Sequence, residues 1–169
     1  MTDTSALRWL AAVIVAAGCY SSAAIAQVPA AIAAKDETVV SQVHAEGAQI
    51  YECKADAAGK LTWQFREPIA SLFRDGKTVG RHYAGPTWED VDGSAIVAKV
   101  IGRAPGASAE DIPLLKLEVT ERRGKGALTD VTAIQRVNTD SGVAEGACEM
   151  AGEFQSVSYS ADYIFLRKK

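Results

Sequence analysis

Alternation of apolar and polar residues with a period of two is the feature that most constrains this chain. Leu61, Trp63 and Phe65 alternate with Thr62, Gln64 and Arg66, and Leu115, Leu117 and Val119 alternate with Lys116, Glu118 and Thr120. A longer run closes the sequence, with Val157, Tyr159, Ala161, Tyr163 and Phe165 on one face and Ser156, Ser158, Ser160 and Asp162 on the other. Successive side chains of a strand point to opposite sides of a sheet, so each run has one side for a core and one for water. Residues 38–44, 48–53, 77–83, 94–101 and 128–138 are further strand candidates. Ala58-Gly59, Asp75-Gly76, Asp92-Gly93, Arg123-Gly124 and Ser141-Gly142 punctuate these runs and suit the positive backbone angles of tight turns. Only 67–73 and 106–111 have the composition of a helical turn. The expected fold is all-β, a single antiparallel β-sandwich or barrel-like domain of about eight to ten strands. Alternation does not choose between those two.

The N-terminus follows a different rule. Arg8 precedes an apolar, small-residue run over 9–18, and Ala24-Ile25-Ala26 supplies small residues before Gln27, so 1–26 reads as a cleaved signal peptide. The run is ten residues long, against roughly 20 for a membrane-spanning helix. Removing 26 of 169 residues leaves 143, the size of one domain, with no integral membrane segment after cleavage. Within that remainder, 27–36 is a Pro- and Ala-rich flexible lead-in and 37–169 the single β-rich domain. The expected location is periplasmic or secreted. The alternative is a lipoprotein anchored through Cys19, whose preceding box, Val15-Ala16-Ala17-Gly18, has alanine where a branched residue is usual.

Cleavage leaves two cysteines, Cys53 and Cys148, in an oxidising compartment, where one disulfide between them is the default. There is no Cys-x-x-Cys pair, and neither His44 nor His82 has a cysteine-protease context. The net charge of −3 argues against a nucleic-acid partner. Arg122-Arg123-Lys125 and Arg167-Lys168-Lys169 are short enough to be solvated turns and tails.

Unusual residue types are densest at 80–94, which reads Gly-Arg-His-Tyr-Ala-Gly-Pro-Thr-Trp-Glu-Asp-Val-Asp-Gly-Ser. An imidazole, aromatic faces and carboxylates within fifteen residues suit a small polar ligand, since indole and phenol rings stack on sugars or aromatic groups and carboxylates accept hydroxyl hydrogen bonds. His82, Tyr83, Trp88, Asp90 and Asp92 are the candidate ligand-binding residues. The same residues have structural uses: Gly85-Pro86 and Asp92-Gly93 are ordinary turn devices, Trp88 suits a core, and His82 can satisfy a buried carbonyl. His82 with Glu89, Asp90 and Asp92 supplies donors for zinc or calcium, but zinc sites use more histidine or cysteine and calcium loops place glycine differently, so no metal site is assigned. Catalytic residues are not assigned either. Asp90 or Asp92 with His82, or Ser94 with His82, matches acid–base or nucleophilic chemistry in composition only. On the last strand, alternation puts Tyr159 and Tyr163 on the face opposite Asp162, which favours packing over a shared site.

Together with Ile50-Tyr51-Glu52-Cys53, the segment 133–139 and Tyr159-Ser160-Ala161-Asp162-Tyr163, the segment 80–94 resembles a family of exported bacterial and fungal proteins, domain of unknown function 3455. The most specific stretch is His82-Tyr83-Ala84-Gly85-Pro86-Thr87-Trp88 followed by Asp92-Gly93-Ser94, and the resemblance spans nearly the whole mature chain. It implies export and a β-rich single domain, and no activity. A malate dehydrogenase label on some fungal relatives does not transfer, because no Gly-x-Gly-x-x-Gly turn is present to hold a dinucleotide. The function expected is that of a non-catalytic exported protein with no cofactor, binding an unknown small molecule, carbohydrate or cell-envelope component. The alternative is a small secreted hydrolase or metal-dependent enzyme using His82 and the acidic turn of Glu89, Asp90 and Asp92.

Overall fold

Eight antiparallel strands close on themselves in a computed structural model that describes residues 28–169. The signal peptide expected at 1–26 and the Cys19 box lie outside the described residues. The strands are β1 (Glu37–Ala55), β2 (Leu61–Arg74), β3 (Lys77–Tyr83), β4 (Thr87–Asp90), β5 (Ala95–Ala104), β6 (Leu114–Arg123), β7 (Ala133–Ser141) and β8 (Phe154–Lys168). Each pairs with the next, and β8 returns to pair with β1 from Glu37↔Lys168 to Glu52↔Phe154. Closure selects the barrel over the sandwich, although the short β3 and β4 pair with only part of β2 and β5, at Ala70–Arg74 and Ala95–Val97. Among the described residues no helix is long and apolar enough to cross a membrane.

The alternating runs point as their period requires. Tyr159, Ala161, Tyr163 and Phe165 of β8 are buried inside with Trp88, Ile96, Leu117 and Ile134. The runs expected at 38–44 and 48–53 are one strand, β1, continuous through Gly47, where a Cβ would collide with the Ile69 carbonyl of β2. The Asp75-Gly76 turn joining β2 to β3 has φ of 51° and 72°, the paired positive values of a tight hairpin turn.

Three local expectations are corrected. Residues 67–73 are the second half of β2, with no helical turn: Pro68, Ala70 and Leu72 are buried while Ile69 and Ser71 are exposed, so burial on a two-residue period overrides weak helical propensity. Residues 106–111 form a connecting bend whose Asp111 bridges to Gly142. The strand anticipated from 128 begins only at Ala133, and Leu128 and Val131 instead fold into the core from a turn. β4 was hidden inside the 80–94 segment because its four residues are too short to show a period.

Antiparallel connections fall alternately at the two ends of the barrel. One end carries 56–60, 84–86, 105–113 and 142–153 and forms the mouth; the other carries the turns at 75–76, 91–94 and 124–132. A Cys53–Cys148 disulfide ties β1 to the β7–β8 connection at the mouth. Its sequence separation of 95 corresponds to on the order of 4 to 5 kcal/mol in the chain-entropy model.

The lead-in lies along the outside of the wall from a single 3₁₀ turn at Ala30–Ile32 onward. Ile32 is fully buried, and the side-chain amide of Gln135 donates to its carbonyl at 2.6 Å. A Cβ at Gly102 would collide with the Ala31 carbonyl. This covering segment explains why Lys116 and Gln135, which point away from the barrel interior, are buried, with Lys116 paired to Glu37.

Candidate functional site

The side chains at the mouth leave a cavity of about 310 Å³. Eight strands enclose an interior wide enough to be filled by side chains or to hold one small ligand, and here the filling stops short of one end. Its floor is set by pairing: His82 on β3 faces Trp88 on β4 as a direct cross-strand partner, so both point inward. The two rings stack with centroids 4.2 Å apart and planes 16° from parallel. Tyr163 of β8 packs edge-on against both, at 5.1 Å from His82 and 5.3 Å from Trp88.

Burial governs the chemistry of this floor. His82 Nδ1 lies 2.8 Å from the Thr87 carbonyl oxygen, an acceptor only, so Nδ1 carries the proton and donates. Desolvation pushes the imidazole down to about 3, against the hydrogen bond to Thr87 and with help from the charge of Arg136. The ring is therefore neutral at ordinary pH. Burial likewise raises the hydroxyls of Tyr159 and Tyr163, which lie 3.5 Å apart and remain protonated.

Polar groups line the walls above. Gln49 and Tyr51 come from β1 and Arg136 from β7. The Tyr51 hydroxyl donates to the Gly142 carbonyl at 2.7 Å, and Arg136 donates through Nε and Nη2 to the Pro113 carbonyl at 3.0 and 2.8 Å. Of five buried side-chain polar atoms without a protein partner among the described residues, two belong to residues lining the cavity, Gln49 Nε2 and Trp88 Nε1, and both are donors. Leaving such a group unsatisfied costs about 1 to 3 kcal/mol, which makes their location in one cavity informative.

The five residues singled out in the sequence go to three places. His82 and Trp88 line the cavity. Tyr83, one residue along β3, points outward, where its hydroxyl donates to Glu89 Oε2 at 2.6 Å. Arg81 and Arg123 reach the same carboxylate at 2.9 and 2.7 Å. The Tyr83 hydrogen bond, followed by that of Arg81, holds Glu89 below the usual carboxylate range. Asp90 ends β4 and Asp92 lies in the β4–β5 turn, both at the end away from the mouth. Asp92 Oδ1 accepts from the Ser94 backbone N–H and hydroxyl at 2.8 and 2.6 Å, and Oδ2 accepts from the Ala127 N–H at 2.7 Å. Those three bonds, the Ser94 hydroxyl first, hold its carboxyl low and tie two turns together. His82 and the acidic turn therefore do not converge. Among the described residues no group of three or more His, Cys, Asp or Glu side chains is placed to share a metal ion.

Gln49, Tyr51, Arg136 and Tyr163 also line the cavity and were not among those five. A signal for two of them was present in the phase of their strands. Gln49 stands in register with the inward Ala45, Tyr51 and Cys53, and Arg136 stands two residues from the inward Ile134, so each is a polar residue at a core-facing position.

Fold and site together define a single-domain, closed antiparallel β-barrel with a part-polar cavity at a disulfide-braced mouth. The chain belongs to the family described as "Protein of unknown function (DUF3455)", whose model matches residues 32–167. No curated protein matches the chain, and no solved structure does.

Proposed function

We propose that this protein is an exported, non-catalytic binding protein that holds a small molecule in the barrel mouth, over His82 and Trp88. The observation that carries the reading is the cavity itself: about 310 Å³, floored by stacked aromatic rings and containing two buried donors without protein partners. A cavity at the lower end of ligand-site volumes, mostly apolar with a few convergent polar groups, suits a small ligand. The Cys53–Cys148 disulfide supports an oxidising compartment. His82 held near 3, with no carboxylate among the described residues lining the cavity, supports binding over acid–base catalysis.

Native mass spectrometry of protein exported from its own full-length sequence tests this. The expected mass begins at Gln27, is oxidised at the one cysteine pair and carries a non-covalent small molecule. Trp88→Ala should lose that molecule while keeping the far-ultraviolet circular dichroism of the barrel. Retention unchanged in a folded Trp88→Ala protein refutes this site.

A further inference from the structure

The charge of the cavity is opposite to that of the chain. The protein carries a net charge of −3, yet among the described residues no aspartate or glutamate lines the cavity, whereas Arg103 and Arg136 do. Arg136 is part-buried, and among the described residues no carboxylate forms an ion pair with it. Its protein acceptors are neutral, the Pro113 carbonyl reached through Nε and Nη2 and the Tyr163 hydroxyl. A guanidinium has five N–H donors, so this arrangement still leaves donors for a ligand. Arg103 stands exposed at the rim.

The orphan groups have the same polarity. Gln49 Nε2 and Trp88 Nε1 are both donors, and both residues are at least nine-tenths buried. Part-buried cation and unpartnered donors together select a ligand rich in acceptors. A guanidinium matches a carboxylate best, because its planar fork pairs with both oxygens at once. The flat His82–Trp88 pair and the edge of Tyr163 suit a planar apolar body, and the volume limits that body to a few rings.

On the reading that the mouth binds a small molecule, we infer that its ligand is a small aromatic carboxylate, with the carboxylate held by Arg136 and the Gln49 amide and the ring against the His82–Trp88 floor. The field inside the barrel agrees: burial raises the Tyr51, Tyr159 and Tyr163 hydroxyls and lowers His82, and at each of the four the positive charge of Arg136 is a smaller, lowering influence, which favours an anion there.

The test is a titration of the full exported chain, followed by ¹H–¹⁵N spectra of the Arg136 Nε–H, Trp88 Nε1–H and Gln49 amide signals. The probes are benzoate and phenylacetate, their neutral amides benzamide and phenylacetamide, and the cation benzamidine. Both acids should shift all three signals saturably and bind about ten-fold or more tighter than their amides. Arg136→Gln should reduce acid binding to the level of the amides, and Arg136→Lys, which keeps the charge without the fork, should fall between. Acids and amides binding equally, or benzamidine binding best, overturns the carboxylate inference and leaves the small-molecule reading standing. No shift from any probe in a folded wild-type protein overturns both. The wild-type comparison decides the matter even if Arg136→Gln fails to fold.

Discussion

On the inner face of the β3–β4 hairpin, His82 lies flat against Trp88 in the dry floor of the mouth; on its outer face, one residue along each strand, Arg81 and Tyr83 meet Glu89 in water. Both pairs are cross-strand neighbours on the same short ladder. The inner pair trades hydration for contact, so its removal opens a cavity or leaves a buried group unsatisfied. The outer cluster keeps its water, and exposed ion pairs are screened and add little. A single residue along the strand is thus enough to separate a stability-determining contact from a decorative one, and only the side of the sheet distinguishes them.

Trp88→Ala is the strongest way to break the inner face. An almost fully buried indole replaced by a methyl group should destabilise by about 3 to 5 kcal/mol, a large part of a single domain's stability, as read from denaturant midpoints at constant slope. A loss below about 1 kcal/mol would mean that Trp88 is not packed as described.

His82 provides a pH test of the same face. Its ordinary value is 6.5 and its folded value about 3, so below pH 6.5 the unfolded chain takes up a proton that the folded protein refuses. Stability contributed by the neutral ring is present above 6.5 and is lost as pH falls toward 3, by at most about 1.4 kcal/mol per pH unit. His82→Phe keeps a ring against Trp88 and should remove this dependence between pH 6.5 and 5, above the range where most carboxylates titrate. Identical slopes in the two proteins there would show that His82 protonates freely in the fold.

At the far end of the hairpin, Ser94 is buried and its hydroxyl both donates to Asp92 and accepts from the Leu128 N–H. Ser94→Ala should cost about 1 to 3 kcal/mol by leaving that N–H without its acceptor, and should raise amide exchange at Leu128 specifically. Unaltered protection at Leu128 would contradict the latch. The smallest effect is expected from Glu89→Gln on the outer face, a change in midpoint within the scatter of repeated unfolding curves. A loss matching that of Ser94→Ala would erase the contrast between the two faces.

Much of the barrel was visible in the order of residues. The runs at 115–119 and 157–165 show their inward sides directly, because burial on one face of a pleat is recorded every second residue, whereas the run at 61–65 lies near the mouth with Phe65 55% exposed. Gly59, Gly76, Gly93, Gly124 and Gly142 mark turns and all have positive φ. β4 was not visible, being four residues between two turns, and 67–73 misled because Glu67, Ala70 and Leu72 favour helix while their neighbours on β1 and β3 hold them extended. The docking of 28–36 was equally hidden: its low-complexity composition gives no period, and its partners, Gly102 and Gln135, lie far along the chain.

The candidate site was legible only in part, and for a definable reason. Sequence density at 80–94 drew His82, Tyr83, Trp88, Asp90 and Asp92 into one group, but neighbours on a strand face opposite ways and the turn after β4 lies at the end remote from the mouth. Arg136 and Gln49, the groups that would recognise an anion, come from β7 and β1, more than thirty residues from that segment on either side. The sequence by itself determined strands, turns, inward faces and a cysteine pair able to bridge, since those depend on local backbone preference and a two-residue period. Closure of β8 on β1, the unfilled mouth, and the meeting of Arg136, Gln49 and Trp88 around it were decided by tertiary structure. Register between distant strands is set by the packing of the whole interior, which no single segment encodes.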